Sequence, residues 1–382
     1  MNLIVASIPL FFILIGLEIL TAWLLERRVY RFADSIADLG CGMIEQLLGV
    51  LVKGFLFTAY LGLYARFRVF DLAEGSWAVF LVCFVGVDFL YYWFHRSSHE
   101  RGALWAAHSV HHQSEEYNLS VALRQGAFQS LFSWVFYLPL AVLGFPPSVF
   151  LTCSALNTLY QFWIHTRLIG RLGPVEWIFN TPSHHRVHHG RNPRYIDRNH
   201  AGVFIIWDRL FGTFVPEREE PLYGVVKPLK SANPLWANIA SWADLWAVSR
   251  RASRLADRLR PLAAPPGWRP LDQGGPLIPP EIRRPDDESV YPTTPPLLAG
   301  YVFLQFALLL VLTASSLRQV SLLGLSVFPV VALLVTLSLV LLAALLEGKR
   351  WAGVLEAVRV LALVVFGVFF GPGVVALLLG GA

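Results

Sequence analysis

Long apolar runs separated by polar segments dominate the pattern along this chain. A transmembrane helix needs about 20 consecutive apolar residues, and runs of that kind predict about eight such helices. Because a lipid-exposed backbone must satisfy its own hydrogen bonds, we expect an all-α polytopic integral membrane protein. The predicted spans are residues 3–24, 41–64, 77–94, 121–144, 146–165, 297–316, 322–346 and 354–379.

Polar patterning divides the chain into three parts. Residues 1–240 contain five predicted spans and every histidine. Residues 241–296 are polar and rich in Pro and Arg, and they predict an amphipathic helix followed by an extended linker. Residues 297–382 form a block of three further apolar helices with few polar groups. We therefore expect the chemistry to lie in the first part.

Composition supports a membrane protein. Apolar residues make up 55% of the chain and charged residues 15%, and the mean hydropathy is +0.53. An ordinary soluble domain contains more charge and less apolar surface. Such a composition excludes a soluble globular enzyme.

The basic residues predict an orientation. Arg27, Arg28 and Arg31 follow the first apolar run, and Arg96 and Arg101 follow the third. Cytoplasmic loops carry an excess of Lys and Arg, so we expect the histidine-rich segments on the cytoplasmic side as a helical cap. The net charge of +5 is then explained by topology, with no nucleic-acid partner. The excess of Arg over Lys favours a bacterial inner membrane.

Histidines carry the candidate chemistry. All eleven lie between His95 and His200, and most fall into the clusters HRSSH, HSVHH and HRVHH. On a helix the first cluster has i, i+4 spacing, and the other two each form an i, i+3, i+4 stripe. So many imidazoles near an apolar core would be costly without metal ions, and we predict two ions. The eight predicted ligands are His95, His99, His108, His111, His112, His185, His188 and His189.

Three histidines lie outside this pattern. His165 ends the fifth predicted span and is a predicted ninth ligand. His184 precedes the third cluster and points about 100° away from His185 on a helix, so support of a ligand and ligation itself both remain open. His200 lies outside any ligand spacing, and we interpret it as part of a loop.

All-histidine ligation favours oxygen chemistry. Neutral imidazoles leave the charge of two ions largely uncompensated, and iron in that state can bind and reduce O2. Zinc can replace iron at such ligands but cannot change its oxidation state. The chain lacks HExxH, so a zinc peptidase has no supporting motif. A hydrolase and a non-catalytic metal-binding membrane protein remain as alternatives.

Polar residues around the clusters are candidates for supporting roles. An intramembrane carboxylate is a functional-site hypothesis by default, and hydrogen bonds to ligand rings fix their tautomers. Arg124 and Gln125 are expected to begin the fourth helix, where they could pair with lipid phosphate. We interpret Trp207–Phe214 as a membrane-interface anchor. The predicted supports of the metal ligands are Asp88, Glu115 and Gln161, and the predicted cofactor-binding residues are Glu116, Tyr117 and Asn118.

Residues 80–216 resemble the fatty acid hydroxylase and sterol desaturase superfamily, whose members hold a diiron centre with clustered histidines. Within it the chain is most similar to the alkylglycerol monooxygenase family, including its bacterial members, and the C-terminal helices are also similar to that family. The segments that carry the resemblance are YYWFHRSSHE, AAHSVHHQSEEYNLSVALRQ, QFWIHT and PSHHRVHHGRNPRYIDRNHAGVFIIWDRLFGTF.

The resemblance implies a reaction. Members of that family hydroxylate the ether-bearing carbon of an alkylglycerol with O2, and the resulting hemiacetal collapses to a fatty aldehyde and a glycerol derivative. It also implies two iron ions, tetrahydrobiopterin as an external electron donor and a lipid substrate from the bilayer. A sterol or fatty acyl hydroxylase or desaturase with the same metal site is the nearest alternative.

Overall fold

The computed structural model describes residues 3–278 and 293–378, and within these ranges the fold is all-α, with one isolated β-bridge between Phe179 and Phe204. Short 3-10 helices occur at Gly173–Trp177 and Leu271–Gln273. The α-helices are α1 (Leu3–Leu24), α2 (Phe32–Phe67), α3 (Trp77–Glu100), α4 (Gly102–His112), α5 (Leu119–Ala122), α6 (Ser130–Leu143), α7 (Pro147–Trp163), α8 (Pro182–His188), α9 (Ile206–Leu210), α10 (Pro234–Arg251), α11 (Leu255–Ala263), α12 (Pro296–Arg318), α13 (Val320–Leu346) and α14 (Ala352–Leu378).

Five helical segments in the described ranges are long and apolar enough to cross a membrane. They are α1, α2, α3, α12 and Ser326–Leu346 within α13. The protein is therefore an integral membrane protein, as expected, but the count of eight spans is not confirmed. The last predicted span, 354–379, also includes one residue outside the described part of the chain.

Two predicted spans form shorter helices. Residues 121–144 do not form one helix, because α5 ends at Ala122 and α6 begins only at Ser130. At 1.5 Å per residue, the 14-residue α6 and the 17-residue α7 reach only about 21 and 26 Å, less than a hydrocarbon core of about 30 Å. The expectation that Arg124 and Gln125 begin the fourth helix is thus wrong.

The C-terminal helices share a hydrophobic core with α2. Ile44 and Leu47 of α2 are buried in one cluster with Phe306 of α12 and with Val335 and Leu342 of α13. Burying such side chains is the main favourable term in folding. The C-terminal block therefore packs on α2, which precedes the histidine-bearing helices in the chain.

A second hydrophobic cluster packs around the part of α3 that precedes its histidines. It joins Cys83 and Val87 of α3 to Leu140 of α6 and Cys153 of α7, and Tyr60 of α2 completes it. α3 then continues without interruption through His95 and His99 to Glu100. The helix consequently carries the first histidine cluster from the apolar core into the polar part of the fold.

α10 crosses the predicted boundary at residue 240. It packs along α4 and α2, and the side-chain oxygen of Asn238 accepts a hydrogen bond from the Ala127 amide at 2.7 Å. The predicted division into three parts stays a prediction. α10 nevertheless ties the first part and the polar segment together beside the second histidine cluster.

Candidate metal centre

Local sequence explains why the histidine clusters are helical. HRSSH is the last part of α3 and HSVHH is the last part of α4. α8 begins at Pro182, where the fixed φ of proline suits the first turn of a helix. It carries His185 and His188, and His189 is its C-cap residue. Short helices of this kind hold imidazoles in fixed directions.

Residues of α3, α4 and α8, together with His165 just after α7 and His189 just after α8, bring nine buried histidines into two groups. Within each group, one potential ligand atom from every residue lies within 4.8 Å of the others. The first histidine group consists of His95, His99, His108, His112 and His188, and the second histidine group consists of His111, His165, His185 and His189.

Each predicted stripe is divided between the groups. His108 and His112, at i and i+4, belong to the first group, whereas His111 belongs to the second. In the same way His185 and His189 belong to the second group and His188 to the first. Successive helix positions are about 100° apart, so adjacent histidines face different partners. Each i, i+3, i+4 stripe thus contributes histidines to both groups.

The two groups are in direct contact. The rings of His112 and His189 are stacked with centroids 4.3 Å apart and an interplanar angle of 23°. The rings of His188 and His185, on successive turns of α8, are also stacked, at 5.1 Å. This adjacency is the arrangement expected of a dimetal centre.

Most Nδ1 atoms of the two groups are held by oxygen acceptors. Nδ1–H of His95 donates to the His200 carbonyl at 2.7 Å, and Nδ1–H of His108 donates to the Gln129 side-chain oxygen at 2.7 Å. A donating Nδ1 leaves the Nε2 of a neutral ring with a free lone pair, which is the form that binds metal. Main-chain carbonyls hold three further rings, those of His111 (Arg124), His165 (Gln161) and His188 (Arg198).

Among the described residues, four pairs of Nε2 atoms lie 3.0–3.2 Å apart, as ligands of a shared ion would, and in two of these pairs both rings have a donating Nδ1. In these two pairs, the Nε2 atoms of His95 and His108 are 3.0 Å apart, and those of His111 and His165 are 3.2 Å apart. All four Nδ1 atoms are donors, so neither pair can form a hydrogen bond between neutral rings. Two nitrogens at right angles around an ion with bonds of about 2.1 Å lie about 3.0 Å apart. The residues therefore fit metal ions.

Buried histidine nitrogens without a hydrogen-bond partner also indicate metal binding. Nε2 atoms of His99, His188 and His189 are buried and have no hydrogen-bond partner. A buried polar group without a partner is costly. Metal ligation would satisfy all three.

Burial keeps these rings neutral. Loss of solvation lowers the pKa of His108 to about 3, and the nearby His99 adds to the shift. Loss of solvation also lowers the pKa values of His112 and His189 well below the ordinary value of about 6.5. Metal ligands must be deprotonated, so the rings need release no proton to bind an ion near neutral pH.

The remaining histidines lie outside both groups. The ring of His184 faces Glu176, with Nε2 and the carboxylate 4.0 Å apart, and packs on Phe214. His200 lies in a loop, as predicted. Its main-chain oxygen holds His95, a role that ligand spacing does not reveal.

Asp88 does not contact a ligand ring within the described residues. Its carboxylate instead accepts hydrogen bonds from the segment after His200, so the expectation that it orients a ligand directly is corrected. Gly202 permits this approach, because a Cβ there would lie 2.7 Å from Asp88 Oδ1. The four donors to Asp88 are the amides of Val203 and Phe204, Trp207 Nε1 and Asn157 Nδ2.

Two other predicted supports make different contacts. The Gln161 side chain donates to Asn157, while its main-chain carbonyl accepts from His165. Glu115 is surrounded by charged groups, notably Asp34 and Arg191, and burial raises its pKa. Support of the metal ligands by the Glu115 carboxylate stays a prediction.

The predicted cofactor-binding residues have structural contacts. Glu116 pairs with Arg31 at 2.7 Å and with Arg167 at 2.6 Å. Asn118 caps α5 by accepting from the Ser120 amide. The Tyr117 ring packs between those of Tyr223 and His165, with centroids at 4.8 and 5.7 Å respectively. A cofactor role for these three residues stays a prediction.

Arg124 is fully buried rather than directed at lipid. Its guanidinium donates to Asp38 at 3.1 Å, to Gln113 at 3.0 Å and to the Val110 carbonyl at 2.6 Å. The interpretation as a lipid-phosphate contact is therefore wrong, because the side chain is 1% exposed and its donors are used by Asp38 of α2, Val110 of α4 and Gln113. Its main-chain oxygen meanwhile holds His111.

The Trp207–Phe214 motif fastens the loop that holds His95. Asp208 accepts from the amides of His200 and Ala201 at 2.8 Å each and from the Thr213 hydroxyl. Trp207 donates to Asp88 at 2.9 Å. The motif therefore fixes the loop whose carbonyl holds His95, and its role as a membrane-interface anchor stays a prediction.

Known proteins share this sequence organisation. The fatty acid hydroxylase family model matches residues 80–213. Alkylglycerol monooxygenase of Danio rerio is 42% identical over 361 residues, 92% of this chain and 79% of that protein. The Homo sapiens protein of that name is 37% identical over 358 residues, 92% of this chain and 80% of that protein.

A third relative covers less of its own length. Alkylglycerol monooxygenase of Xenopus tropicalis is 45% identical over 260 residues, which are 68% of this chain and 58% of that protein. No solved structure matches the chain significantly. The identities, the length of the alignments and the clustered histidines together place this chain in the alkylglycerol monooxygenase family, a family of membrane-bound oxidoreductases.

Proposed function

We propose that this protein cleaves the ether bond of alkylglycerols with O2, releasing a fatty aldehyde and a glycerol derivative. One observation supports this most strongly: two adjacent groups of buried histidines with converging nitrogens lie in a chain whose relatives are alkylglycerol monooxygenases. Insertion of one oxygen atom at the ether-bearing carbon gives a hemiacetal, which separates into the two products. The second oxygen atom leaves as water and requires two electrons and two protons.

The metal ions we propose are two irons, one in each histidine group. When bound, iron supplies the capacity to bind and reduce O2. The first histidine group would hold one ion through five imidazoles and the second would hold the other through four. Zinc could occupy the same nitrogens in isolated protein without supporting the reaction.

The protein's own residues orient and shield the centre. Carbonyls of His200 and Arg198 hold the Nδ1 protons of His95 and His188, so the lone pairs of these rings point inward. The indole of Trp105 packs on His99 at 5.1 Å and on His112 at 5.6 Å, which closes one side of the first group. Exclusion of water strengthens electrostatic interactions and limits side reactions.

The electron donor and the location are further parts of the proposal. A tetrahydropterin would supply the two electrons, as the family resemblance implies. The arginines that follow α1 and α3 favour the cytoplasmic side for the metal centre, and we propose the bacterial inner membrane.

Assay of purified protein tests this function. Iron-loaded protein in detergent would be incubated with an alkylglycerol, tetrahydrobiopterin and isotopically labelled O2, and aldehyde would be measured by mass spectrometry. We expect aldehyde from the wild type and loss of both bound iron and product in His188→Ala. His184→Gln is the matched control on the same helix, because His184 belongs to neither group, and it should retain iron.

Two results would contradict the proposal. Bound iron without aldehyde would refute ether cleavage under these conditions, and a sterol or acyl substrate would then be tested with the same protein. Full activity of His188→Ala would refute its assignment as an essential ligand.

A further inference from the structure

A cavity rich in arginine lies beside the second histidine group. Its volume is about 560 Å³, and its walls carry four guanidinium groups and two carboxylates. This size is within the usual range for small-molecule sites. The charged lining residues are Arg27, Arg28, Arg167, Arg186, Glu217 and Glu220.

One of these arginines is part of the scaffold. Arg186 donates twice to Glu217, at 2.8 Å each, and also to the carbonyls of Thr166 and Ile169. Because its donors are used within the protein, Arg186 fixes the wall of the cavity. It lies next to His185, so the wall is continuous with the metal centre.

Arg167 retains an unused donor. Its Nη2 contacts Glu116 at 2.6 Å and the Arg28 carbonyl at 3.1 Å. Its Nε is buried and has no partner. A guanidinium held in this way can still donate a hydrogen bond to an anion.

Arg27 and Arg28 supply positive charge that the protein does not neutralise. Both are exposed, and neither side chain forms an ion pair or hydrogen bond with the residues that the structure describes. They follow directly on α1, which is apolar enough to cross a membrane and ends at Leu24. Because Arg27 and Arg28 follow a candidate membrane span, we expect the cavity to open where lipid headgroups meet water.

Two stacked rings connect the cavity to the metal centre. Tyr223 lines the cavity and stacks on Tyr117 with centroids 4.8 Å apart. Tyr117 in turn contacts His189 at 5.1 Å. A molecule in the cavity is thus separated from the second histidine group by a double aromatic layer.

We propose that this cavity binds the phosphate group of a bilayer lipid. Arginine is the preferred side chain for phosphate, since its planar donors match phosphate oxygens, and basic residues at a membrane surface attract anionic headgroups. This site is independent of ether cleavage, because binding requires no turnover.

Direct binding measurements test the proposal. Full-length protein in detergent is titrated with dioleoyl phosphatidic acid and, separately, with dioleoylglycerol, which lacks the phosphate. We expect the phosphate-bearing lipid to bind at least about tenfold more tightly, and Arg27→Gln with Arg28→Gln to remove about tenfold of that affinity. Unchanged metal content in this double variant checks that the fold is intact.

The matched control neutralises a different pair of adjacent exposed arginines, Arg250→Gln with Arg251→Gln at the end of α10. Retained affinity in this control supports the cavity as the site. Equal losses in both double variants, or equal binding of the two lipids, would overturn it. Displacement of the lipid by millimolar inorganic phosphate would assign the site to a soluble phosphate compound and overturn the lipid assignment.

Discussion

At the scale of single residues, the metal centre depends on which ring nitrogen of each histidine carries the proton. Oxygen acceptors hold the Nδ1–H of His95, His108 and His111 and leave Nε2 free for metal. Most of these acceptors are main-chain carbonyls. Gln129 differs, because its side chain can be replaced without changing the backbone.

Gln129→Ala should weaken metal binding by the first histidine group. The His108 Nδ1–H would lose its acceptor, and loss of such a support costs about tenfold to hundredfold in metal affinity. Titration of metal-free protein with ferrous iron measures the effect. Gln125→Ala is the control, because the Gln125 amide donates to the Ala122 carbonyl. Equal affinities of both variants and the wild type would show that Gln129 has no such role.

At the scale of elements, the centre depends on close approach between α4 and the segment that joins α5 to α6. This segment supplies both Gln129 and the carbonyl that holds His111. Gly126 lies where it meets α4, and a Cβ there would be 2.0 Å from the Ala107 carbonyl oxygen. Since backbone atoms occupy that space, any larger residue would push the two elements apart.

Gly126→Ala should therefore destabilise the protein by about 1–3 kcal/mol and lower its metal content. Thermal unfolding in detergent and elemental analysis measure these two effects. In Gly62→Ala the new methyl group meets nothing within 4 Å, and alanine is the better helix former, so this control on α2 should be at least as stable as the wild type. If Gly126→Ala matched the control, the proposed tight contact would be wrong.

At the scale of the whole molecule, the C-terminal helices stabilise the fold on which the metal centre is built. α12 and α13 share a buried apolar cluster with α2, and α2 supplies Asp38 to the buried Arg124. A chain of packed contacts thus connects the C-terminal block to the second histidine cluster. None of the C-terminal residues belongs to a histidine group in the described ranges.

Leu342→Ala should destabilise the protein by about 2–5 kcal/mol, because it leaves a cavity in this shared core. Leu342 is fully buried, whereas Leu337 on the same helix is 52% exposed. Leu337→Ala is therefore the control, and its thermal midpoint in detergent should change little. Similar midpoints for the two variants would show that the shared core contributes little to stability.

The class of protein follows from the sequence by itself. Apolar runs identify a membrane protein, and HRSSH, HSVHH and HRVHH predict a nitrogen-rich metal site, because both patterns depend on local composition and spacing. The sequence alone did not determine the number of membrane spans. Hydropathy does not show that residues 123–129 are non-helical and contact Gln113, Asp38 and His111.

Only the tertiary structure decided which histidines belong to each of the two groups. His111 and His112 are neighbours in sequence, yet they belong to different groups, as do His188 and His189. Helix geometry directs neighbouring side chains about 100° apart, and the partner of each is set by helices distant in the chain. Likewise the supports are mostly carbonyls, which every residue possesses, so no side-chain motif could reveal them.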